Sequence, residues 1–310
     1  MHTCSIPGIS TPVSRLCLGT GSFGSAFSQD ASFALMDTFA ARGGTFLDTA
    51  HIYAAWLPNG EGQSERTIGA WLRSRGMAGR MVVGSKGGHP PLDNSIPARL
   101  RPEQIGSDLA ESLERLQQPA IDLYWLHRDD PQVPCAEILS VLDEHRRAGR
   151  IHAYGASNWS TARLEQGARE ASRLGLPGFV ASQIGWSLAE VVPERIPPGG
   201  MLFMDAPTMA WHRRSTLPVI AYSSQANGYF SKSSPPWLYD APANRQRLAA
   251  VQALARQHGC SANAVALAWL LAHPCAGGAI VGSRTVAQLE DSCLAEALSL
   301  TPAQWSSLDS

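Results

Sequence analysis

Apolar and polar positions alternate along the chain in two different ways. Short apolar runs, typical of strands buried in a parallel sheet, are separated by longer segments with the three-to-four-residue period of amphipathic helices. The eight apolar runs occupy residues 15–21, 45–50, 81–87, 121–127, 151–158, 178–186, 217–224 and 278–283. Eight strands alternating with helices within about 300 residues predict an α/β fold, a (β/α)8 TIM barrel, rather than a doubly wound sheet.

Segments outside this alternation predict two additions to the barrel. Residues 4–14 precede the first strand and contain Gly and Pro, so we expect a small N-terminal hairpin across the barrel bottom. Residues 244–259 and 261–274 keep a helical period before the last strand, which predicts extra helices near the C-terminus. No linker or low-complexity tract interrupts the pattern, and we therefore interpret residues 1–310 as a single domain.

Composition narrows the class of partner. The 310-residue chain has a formal net charge of −1, so no basic excess indicates nucleic acid or an anionic membrane. The six cysteines are scattered without the spacing of a zinc site, and we interpret them as reduced thiols. The first residues lack the features of a secretory signal, and no stretch approaches the roughly 20 apolar residues of a membrane span. We expect a cytoplasmic protein that binds a small molecule.

Polar side chains gather at the ends of the predicted strands. In a TIM barrel the C-terminal ends of all strands meet on one rim, where catalysis takes place. The residues at those ends, in chain order, are Asp48, Tyr53, Lys86, His127, Ser157, Asn158, Gln183, Tyr222, Ser223, Ser283 and Arg284. We therefore predict one site to which most of the strands contribute.

Several short motifs resemble, in order, those of the aldo-keto reductases. They are FLDTAHIY, GQSERTIGAWL, GSKGG, DLYWLH, GASNW, SQIGWSLAE, VIAYSS and AIVGSRTVAQLEDS, and the resemblance extends from about residue 15 to residue 292. It implies an enzyme that reduces carbonyl compounds with a nicotinamide cofactor. It also implies that Asp48, Tyr53, Lys86 and His127 are the catalytic residues.

The same four residues suit carbonyl reduction on chemical grounds. No side chain can donate a hydride, so the reaction needs a nicotinamide cofactor, and the protein must supply a proton to the carbonyl oxygen. Tyr53 is the candidate donor, and since a free phenol has a pKa of about 10, we expect the Lys86 ammonium to lower that pKa. Asp48 would keep Lys86 charged and oriented. His127 would hydrogen-bond the substrate oxygen and fix its position.

Other interpretations of these residues are weaker. Each residue alone is more often a packing or surface residue, and their occurrence together at neighbouring strand ends favours a catalytic site. His127 with Asp129 and Asp130 suggests a divalent metal, but the neighbouring strands carry no second cluster of ligands, so we predict none. Lys86 could form a Schiff base, but Asp48 favours the charged amine, which is not nucleophilic.

Cofactor residues are expected on the other half of the rim. Residues 19–24 fit G-x-G-x-x-G, but the acid that ends the next strand, Asp48, lies too far along the chain for a Rossmann turn. Gly21 would instead let the chain approach the cofactor. Ser283 and Arg284 lie at the start of the last barrel helix, where free N–H groups and a guanidinium suit a phosphate. We therefore predict NADP(H), with NAD(H) left open.

The family resemblance extends the set of cofactor contacts. It implies that Asn158 and Gln183 hold the nicotinamide carboxamide and that Tyr222 stacks on the ring. The remaining implied contacts, including those near the adenine, are Ser157, Ser223, Gly282, Gln288, Asp291 and Ser292. The positions that depart from the family pattern are Ser224 in place of Pro, Trp186 in place of Tyr, and Asp291 and Ser292 in place of Glu and Asn. These departures leave the cofactor preference and its exact contacts open.

The substrate is the least constrained part of the prediction. Trp56, His89, Arg128 and Trp159, with the segment 187–217, are expected to surround the carbonyl. Charged groups beside tryptophans are typical of pockets for sugars, so we predict a sugar or sugar-like aldehyde or ketone. The overall prediction is an NADP(H)-dependent aldo-keto reductase. The alternative, a cofactor-binding regulatory subunit resembling channel β-subunits, is disfavoured because all four catalytic residue types are present.

Overall fold

A computed structural model describes residues 1–93, 97–231 and 236–309 of the chain. Two short strands, β1 (Thr3–Cys4) and β2 (Val13–Ser14), pair antiparallel at the N-terminus. The parallel strands are β3 (Leu16–Gly19), β4 (Phe46–Asp48), β5 (Val82–Gly87), β6 (Ile121–Leu126), β7 (Ile151–Ser157), β8 (Ser182–Gly185), β9 (Val219–Tyr222) and β10 (Ala276–Val281). They close into a barrel in the order β10-β3-β4-β5-β6-β7-β8-β9, which confirms the predicted TIM barrel with its N-terminal hairpin.

Helices surround the barrel in the order that the sequence pattern predicts. They are α1 (Gln29–Ala41), α2 (Gln63–Arg75), α3 (Pro102–Leu116), α4 (Cys135–Arg147), α5 (Thr161–Leu174), α6 (Ala206–Ser215), α7 (Pro242–His258), α8 (Ala262–Leu271), α9 (Val286–Cys293) and α10 (Pro302–Asp309). Helices α7 and α8 are the predicted extra helices before β10, whereas α6 and α10 are additional to the prediction. Within the described ranges, no helix has the length and apolar character needed to cross a membrane.

Alternate residues of the strands fill the barrel interior. The interior cluster contains Cys17, Phe46, Val82, Leu123, Trp125, Ala153, Ala181, Ile220 and Ile280. Because successive side chains on a strand point to opposite faces, the residues between them face outward. Leu47 and Val83, for example, belong to the separate cluster that packs against the helices.

The N-terminal hairpin covers one end of the barrel. Ile6 and Val13 of the hairpin belong to the interior cluster. Gly8 adopts a φ of +87°, which L side chains rarely adopt, and a Cβ there would lie 2.8 Å from the carbonyl oxygen of His152 at the start of β7. The hairpin therefore lies against the N-terminal ends of the strands and leaves the opposite rim open.

Trp125 fills the barrel interior one layer beneath that rim. Its side chain is fully buried, and it occupies space that a glycine on β7 leaves free. A Cβ at Gly155 would overlap the Trp125 ring, so any larger residue there would displace the indole. This close packing gives the site above it a rigid floor.

Candidate active site

The alternation that fills the barrel also directs the polar residues into it. On each of several strands, the polar residue lies two or four positions after an interior apolar residue. The pairs are Phe46 and Asp48, Val82 and Lys86, Trp125 and His127, Ala181 and Gln183, and Ile220 and Tyr222. Since side chains an even number of positions apart share a face of the sheet, the polar residues continue the interior rows up to the rim.

Lys86 is the centre of the site. Its side chain is 1% exposed. Its ammonium donates to Asp48 Oδ2 at 2.6 Å, to the Thr49 carbonyl oxygen at 2.7 Å and to the Tyr53 hydroxyl at 2.8 Å. An ammonium has three protons, so each proton has an acceptor. The structure thus brings three of the four predicted catalytic residues into direct contact.

Burial and these contacts set the protonation states. Burial disfavours the Lys86 ammonium, but Asp48 and Tyr53 outweigh that effect and raise the pKa of Lys86 above its ordinary value. Burial also raises the pKa of Tyr53, and the opposing effect of the Lys86 ammonium does not cancel it. The Lys86 ammonium thus lowers the pKa of Tyr53, as expected, but burial has the larger effect and the net shift is upward. Tyr53 keeps its proton at neutral pH, as a proton donor must.

His127 lies beside Tyr53 at the same rim. The centroids of the two rings are 5.9 Å apart, and the centroids of the His127 and His89 rings are 4.7 Å apart. Burial, together with the positive charges of Lys86 and Arg128, holds the pKa of His127 well below its ordinary value. The imidazole is therefore neutral at pH 7. Its Nδ1 is buried without a partner in the described part of the chain.

Tyr53 lies on a turn that the neighbouring strand fixes. After β4 ends, the Thr49 N–H donates to the Gly84 carbonyl oxygen at 2.8 Å and the His51 N–H donates to the Lys86 carbonyl oxygen at 2.9 Å. These bonds continue the pairing with β5 beyond the end of the strand. The phenol is therefore positioned against Lys86 through the backbone as well as through its own hydroxyl.

A buried ion network behind this turn was not predicted from the sequence. Arg115 of α3 donates to the His51 carbonyl oxygen at 3.1 Å and to Glu111 at 2.9 Å. Its guanidinium also lies 3.5 Å from Glu65 of α2, whose side chain is fully buried. Glu65 accepts a hydrogen bond from Ser85 of β5 at 2.6 Å. The network links α2, α3 and β5 to the turn that carries the phenol.

A cavity of about 810 Å³ opens on the rim beside Asp48, Tyr53 and Lys86. It extends from Tyr53 and His127 at one end to Arg284 at the other. The predicted cofactor residues that line it are Ser157, Asn158, Gln183, Tyr222, Ser223, Gly282, Arg284, Gln288 and Asp291. Gly21 faces the Tyr53 ring instead, and a Cβ at this glycine would lie 3.7 Å from that ring. A volume of this size is within the range of cofactor sites.

The two amides predicted to hold a carboxamide have partners within the protein. Gln183 Nε2 donates to Asp48 Oδ1 at 3.0 Å. Asn158 Oδ1 accepts from the Tyr222 hydroxyl at 2.7 Å and from the Leu202 N–H at 2.9 Å. Both amides are therefore held in fixed orientations at the cavity wall. Gln183 therefore also connects this wall directly to Asp48, the partner of Lys86.

Two donors without partners among the described residues follow β10, and of these only Arg284 lines the cavity. Ser283 is 3% exposed, and its hydroxyl has no hydrogen-bond partner among the described residues. The exposed Arg284 guanidinium forms no ion pair within those residues. Thr285 caps α9 by accepting from the Gln288 N–H at 3.2 Å. Unpartnered donors beside a helix N-terminus suit a phosphate group.

Polar contacts also hold in place the part of α9 that follows this proposed phosphate-binding position. Asp291 accepts from Ser261 at 2.8 Å and from Asn263 at 3.2 Å. The fully buried Ser292 accepts from Gln225 at 3.0 Å. Gln225 and Asn263 also line the cavity, and the sequence analysis missed both. No strand end marks either residue, since one follows β9 by three positions and the other lies in α8.

Of the four predicted substrate residues, only Arg128 lines the cavity, whereas Trp56 lies beside Tyr53, His89 lies beside His127 and Trp159 lies in the core. Trp56 is 54% exposed, and its ring centroid lies 6.3 Å from that of Tyr53. Arg128 lines the cavity. Trp159, in contrast, is 1% exposed and packs with a centroid distance of 5.1 Å against Phe179. The structure therefore places Trp159 in the core instead of on the cavity.

Fold and site together define a barrel protein with a buried acid–lysine–phenol cluster beside a long cavity, the arrangement of a barrel oxidoreductase. The model of the Aldo/keto reductase family matches residues 15–310. The chain therefore belongs to the aldo-keto reductase family and is an oxidoreductase, which confirms the resemblance seen in its motifs.

Individual relatives agree with this assignment. The chain is 33% identical over 302 residues to the "Uncharacterized oxidoreductase YrpG" of Bacillus subtilis (strain 168), covering 93% of this chain and 89% of the relative. It is 26% identical over 324 residues to "Protein tas" of Escherichia coli (strain K12), covering 92% and 90%. It is 31% identical over 205 residues to "Norsolorinic acid reductase B" of Aspergillus parasiticus, covering 61% and 51%.

A solved structure supports the fold. The thermostable aldo-keto reductase Tm1743, crystallised in complex with the inhibitor epalrestat, superposes with a TM-score of 0.77. The alignment has 24% sequence identity and covers 100% of this chain and 99% of the other. The barrel and its additions are therefore shared over the full length.

Proposed function

We propose that this protein reduces an aldehyde or ketone to the alcohol, with NADPH as the hydride donor and Tyr53 as the proton donor. The observation that carries the proposal is the buried Lys86 ammonium, which hydrogen-bonds both Tyr53 and Asp48. An ammonium in this position stabilises the phenolate that proton transfer leaves behind. The strands hold these groups in place before the reaction begins, so no rearrangement is needed to form the contact.

The residues divide the reaction between them. When bound, the nicotinamide supplies the hydride to the carbonyl carbon. The Tyr53 hydroxyl gives its proton to the carbonyl oxygen and becomes a phenolate, which Lys86 stabilises and which solvent later reprotonates. His127 is neutral and can donate an N–H hydrogen bond to the same oxygen, which orients the substrate. Asp48 keeps the lysine charged through the 2.6 Å contact.

Tyr53→Phe tests the proton donor. The variant should fold and bind NADPH but reduce aldehydes at least about 100-fold more slowly, since it lacks the general acid. Loss of NADPH absorbance measures turnover, and tryptophan fluorescence measures cofactor binding. Tyr154→Phe is the matched control, because the Tyr154 hydroxyl bonds to Pro177 in the outer core and not to the site. Near-normal turnover in Tyr53→Phe would refute the assignment.

The preference for NADPH is proposed from Ser283 and Arg284. NADPH carries a 2′-phosphate that NADH lacks. The Arg284 guanidinium, which lines the cavity and has no ion pair within the described part of the chain, and the adjacent Ser283 hydroxyl are donors that suit it. A charge-assisted hydrogen bond contributes about 1.5 to 3 kcal/mol. Arg284→Ala should therefore weaken NADPH by about tenfold to a hundredfold and leave NADH almost unchanged.

The control for this measurement is a second arginine beside α9. Arg42 contacts the helix from outside the cavity, through an ion pair with Glu290 at 2.6 Å. Arg42→Ala should change neither Kd. If Arg284→Ala weakens both cofactors equally, or leaves NADPH unchanged, Arg284 does not bind the phosphate and the preference for NADPH loses its support.

The substrate is proposed to be a polar, sugar-like carbonyl compound. The exposed Trp56 ring beside Tyr53 can stack on the C–H face of a sugar. Arg128, which lines the cavity, and His89, whose ring lies against that of His127, can bind oxygen atoms. Reduction rates for aldoses, keto sugars and aromatic aldehydes test this class. Binding of NADPH without reduction of any of these compounds would instead indicate the regulatory-subunit alternative.

A further inference from the structure

Arg128 brings an unneutralised charge to the reacting end of the cavity. Its Nη1 donates to the His127 carbonyl oxygen at 2.9 Å and its Nε donates to the Gly199 carbonyl oxygen at 2.8 Å. Both acceptors are neutral. A guanidinium has five N–H donors, so three of them have no partner among the described residues.

The acids near Arg128 in sequence are occupied elsewhere. Asp129 pairs with Arg163 at 3.2 Å, and Asp130 accepts from the Gln132 N–H at 3.0 Å. Asp48, the acid at the centre of the site, is paired with Lys86. No ion pair within the described part of the chain includes Arg128. The guanidinium is partly buried, and this burial lowers its pKa.

The charge acts on the groups proposed to perform the reaction. The Arg128 guanidinium lowers the pKa of Tyr53, opposing the effect of burial, and it helps to keep His127 and His89 neutral. It also lines the same cavity as Tyr53 and His127. A ligand that occupies the reacting end of the cavity therefore meets Arg128.

A phosphate bound by Ser283 and Arg284 would lie on the opposite side of the barrel from Arg128 and would not neutralise its charge. The phosphate-binding donors Ser283 and Arg284 follow β10. Arg128 follows β6, which is four strands from β10 in either direction around the closed barrel. The anion that Arg128 can bind therefore belongs to the substrate.

We propose that the physiological substrate is a carbonyl compound that carries an anionic group, a carboxylate or a phosphate, and that Arg128 binds this group. The inference rests on the proposed carbonyl reduction and adds the charge of its substrate. Carboxylates and phosphates can accept two parallel hydrogen bonds from a guanidinium, which matches the donors that Arg128 has free. A neutral sugar would leave the partly buried charge without a counter-ion.

Matched substrates test the proposal. 4-Formylbenzoate and its methyl ester share the same ring and aldehyde but differ by one charge, and glyceraldehyde 3-phosphate and glyceraldehyde form the phosphate pair. At low ionic strength, kcat/KM should be about 10- to 100-fold higher for the anion in at least one pair. The pair with the larger ratio distinguishes a carboxylate from a phosphate. The ratio should fall as salt is added, because salt screens the attraction.

Variants assign the preference to Arg128. Arg128→Gln should lower the ratio of anion to neutral substrate by about 10- to 100-fold, towards one, and Arg128→Lys should keep part of it. Using the ratio removes any general effect of the loss of the bond to His127. Arg173→Gln, on the exposed side of α5, is the control that removes a charge outside the cavity and should leave the ratio unchanged.

The possible failures are distinguishable. If wild-type protein reduces the neutral aldehydes as well as the anions, or if Arg128→Gln keeps the full ratio, the inferred substrate charge is wrong while carbonyl reduction stands. If the protein binds NADPH but reduces none of the four aldehydes, the proposed function itself is wrong.

Discussion

Replacing Lys86 by Met separates its contribution to stability from its contribution to catalysis. The ammonium makes three hydrogen bonds at 2.6 to 2.8 Å, and both side chains of the Lys86–Asp48 pair are at most 2% exposed. Removing one partner of such a pair leaves a buried charge uncompensated and costs about 3 to 5 kcal/mol. Removing the charged hydrogen bond to Tyr53 costs the reaction about 1.5 to 3 kcal/mol. Turnover should therefore fall by about tenfold to a hundredfold.

The double variant Asp48→Asn/Lys86→Met resolves the two effects. It replaces the ion pair by neutral groups, so most of the lost stability should return, whereas turnover should stay low because Tyr53 still lacks the ammonium. Urea unfolding followed by tryptophan fluorescence measures stability, and NADPH absorbance measures turnover. If Lys86→Met keeps normal turnover, or if turnover recovers together with stability in the double variant, Lys86 acts only as a structural residue.

Three further predictions concern protonation and the buried ion network. Because burial raises the pKa of Tyr53, the proton donor is lost only above about pH 10, so kcat/KM for reduction should stay level through neutral pH, and a decline near pH 8 would contradict this. The His127 imidazole should still be neutral at pH 6.5, because burial lowers its pKa, and an NMR titration with a midpoint near 6.5 would show that burial does not lower this pKa. Arg115→Leu should lower the free energy of unfolding by about 3 to 5 kcal/mol, since it leaves Glu65 buried without a cation. The exposed Arg75, paired with Asp37, is the control, and its replacement should cost at most about 1 kcal/mol in urea unfolding.

Strand periodicity explains how much could be predicted. Each parallel strand is short and apolar, so its position in the sequence is distinct, and the barrel rule then places every strand end on one rim. Asp48 and Lys86 are on adjacent strands, β4 and β5, and their contact follows from that adjacency. For this reason the contact between Asp48 and Lys86 could be predicted, since these residues share a face of the sheet with Phe46 and Val82.

Other features depend on contacts that no local pattern encodes. Glu65 lies on α2 and Arg115 on α3, about 50 residues apart in sequence, and a charged residue on a helix is ordinarily expected to face solvent. Asn158 adopts a φ of +60° at the end of β7, and the residue that follows it, Trp159, packs into the core. The pKa of Tyr53 depends on how strongly burial opposes Lys86, which spacing along the chain does not show.

The closure of the barrel has a consequence for synthesis of the chain. β3 is the first barrel strand, and it pairs with β10, the last, through partners such as Leu16 and Ala279. As the ribosome releases the chain from its N-terminus, β3 has β4 on one side but no partner on the other until β10 has emerged. Contacts between such distant residues form slowly, and an unpaired apolar edge invites association with other chains. Protein yield should therefore depend on how well the unpaired edge of β3 is kept from other chains until β10 emerges. Chains that stop before β10 should aggregate.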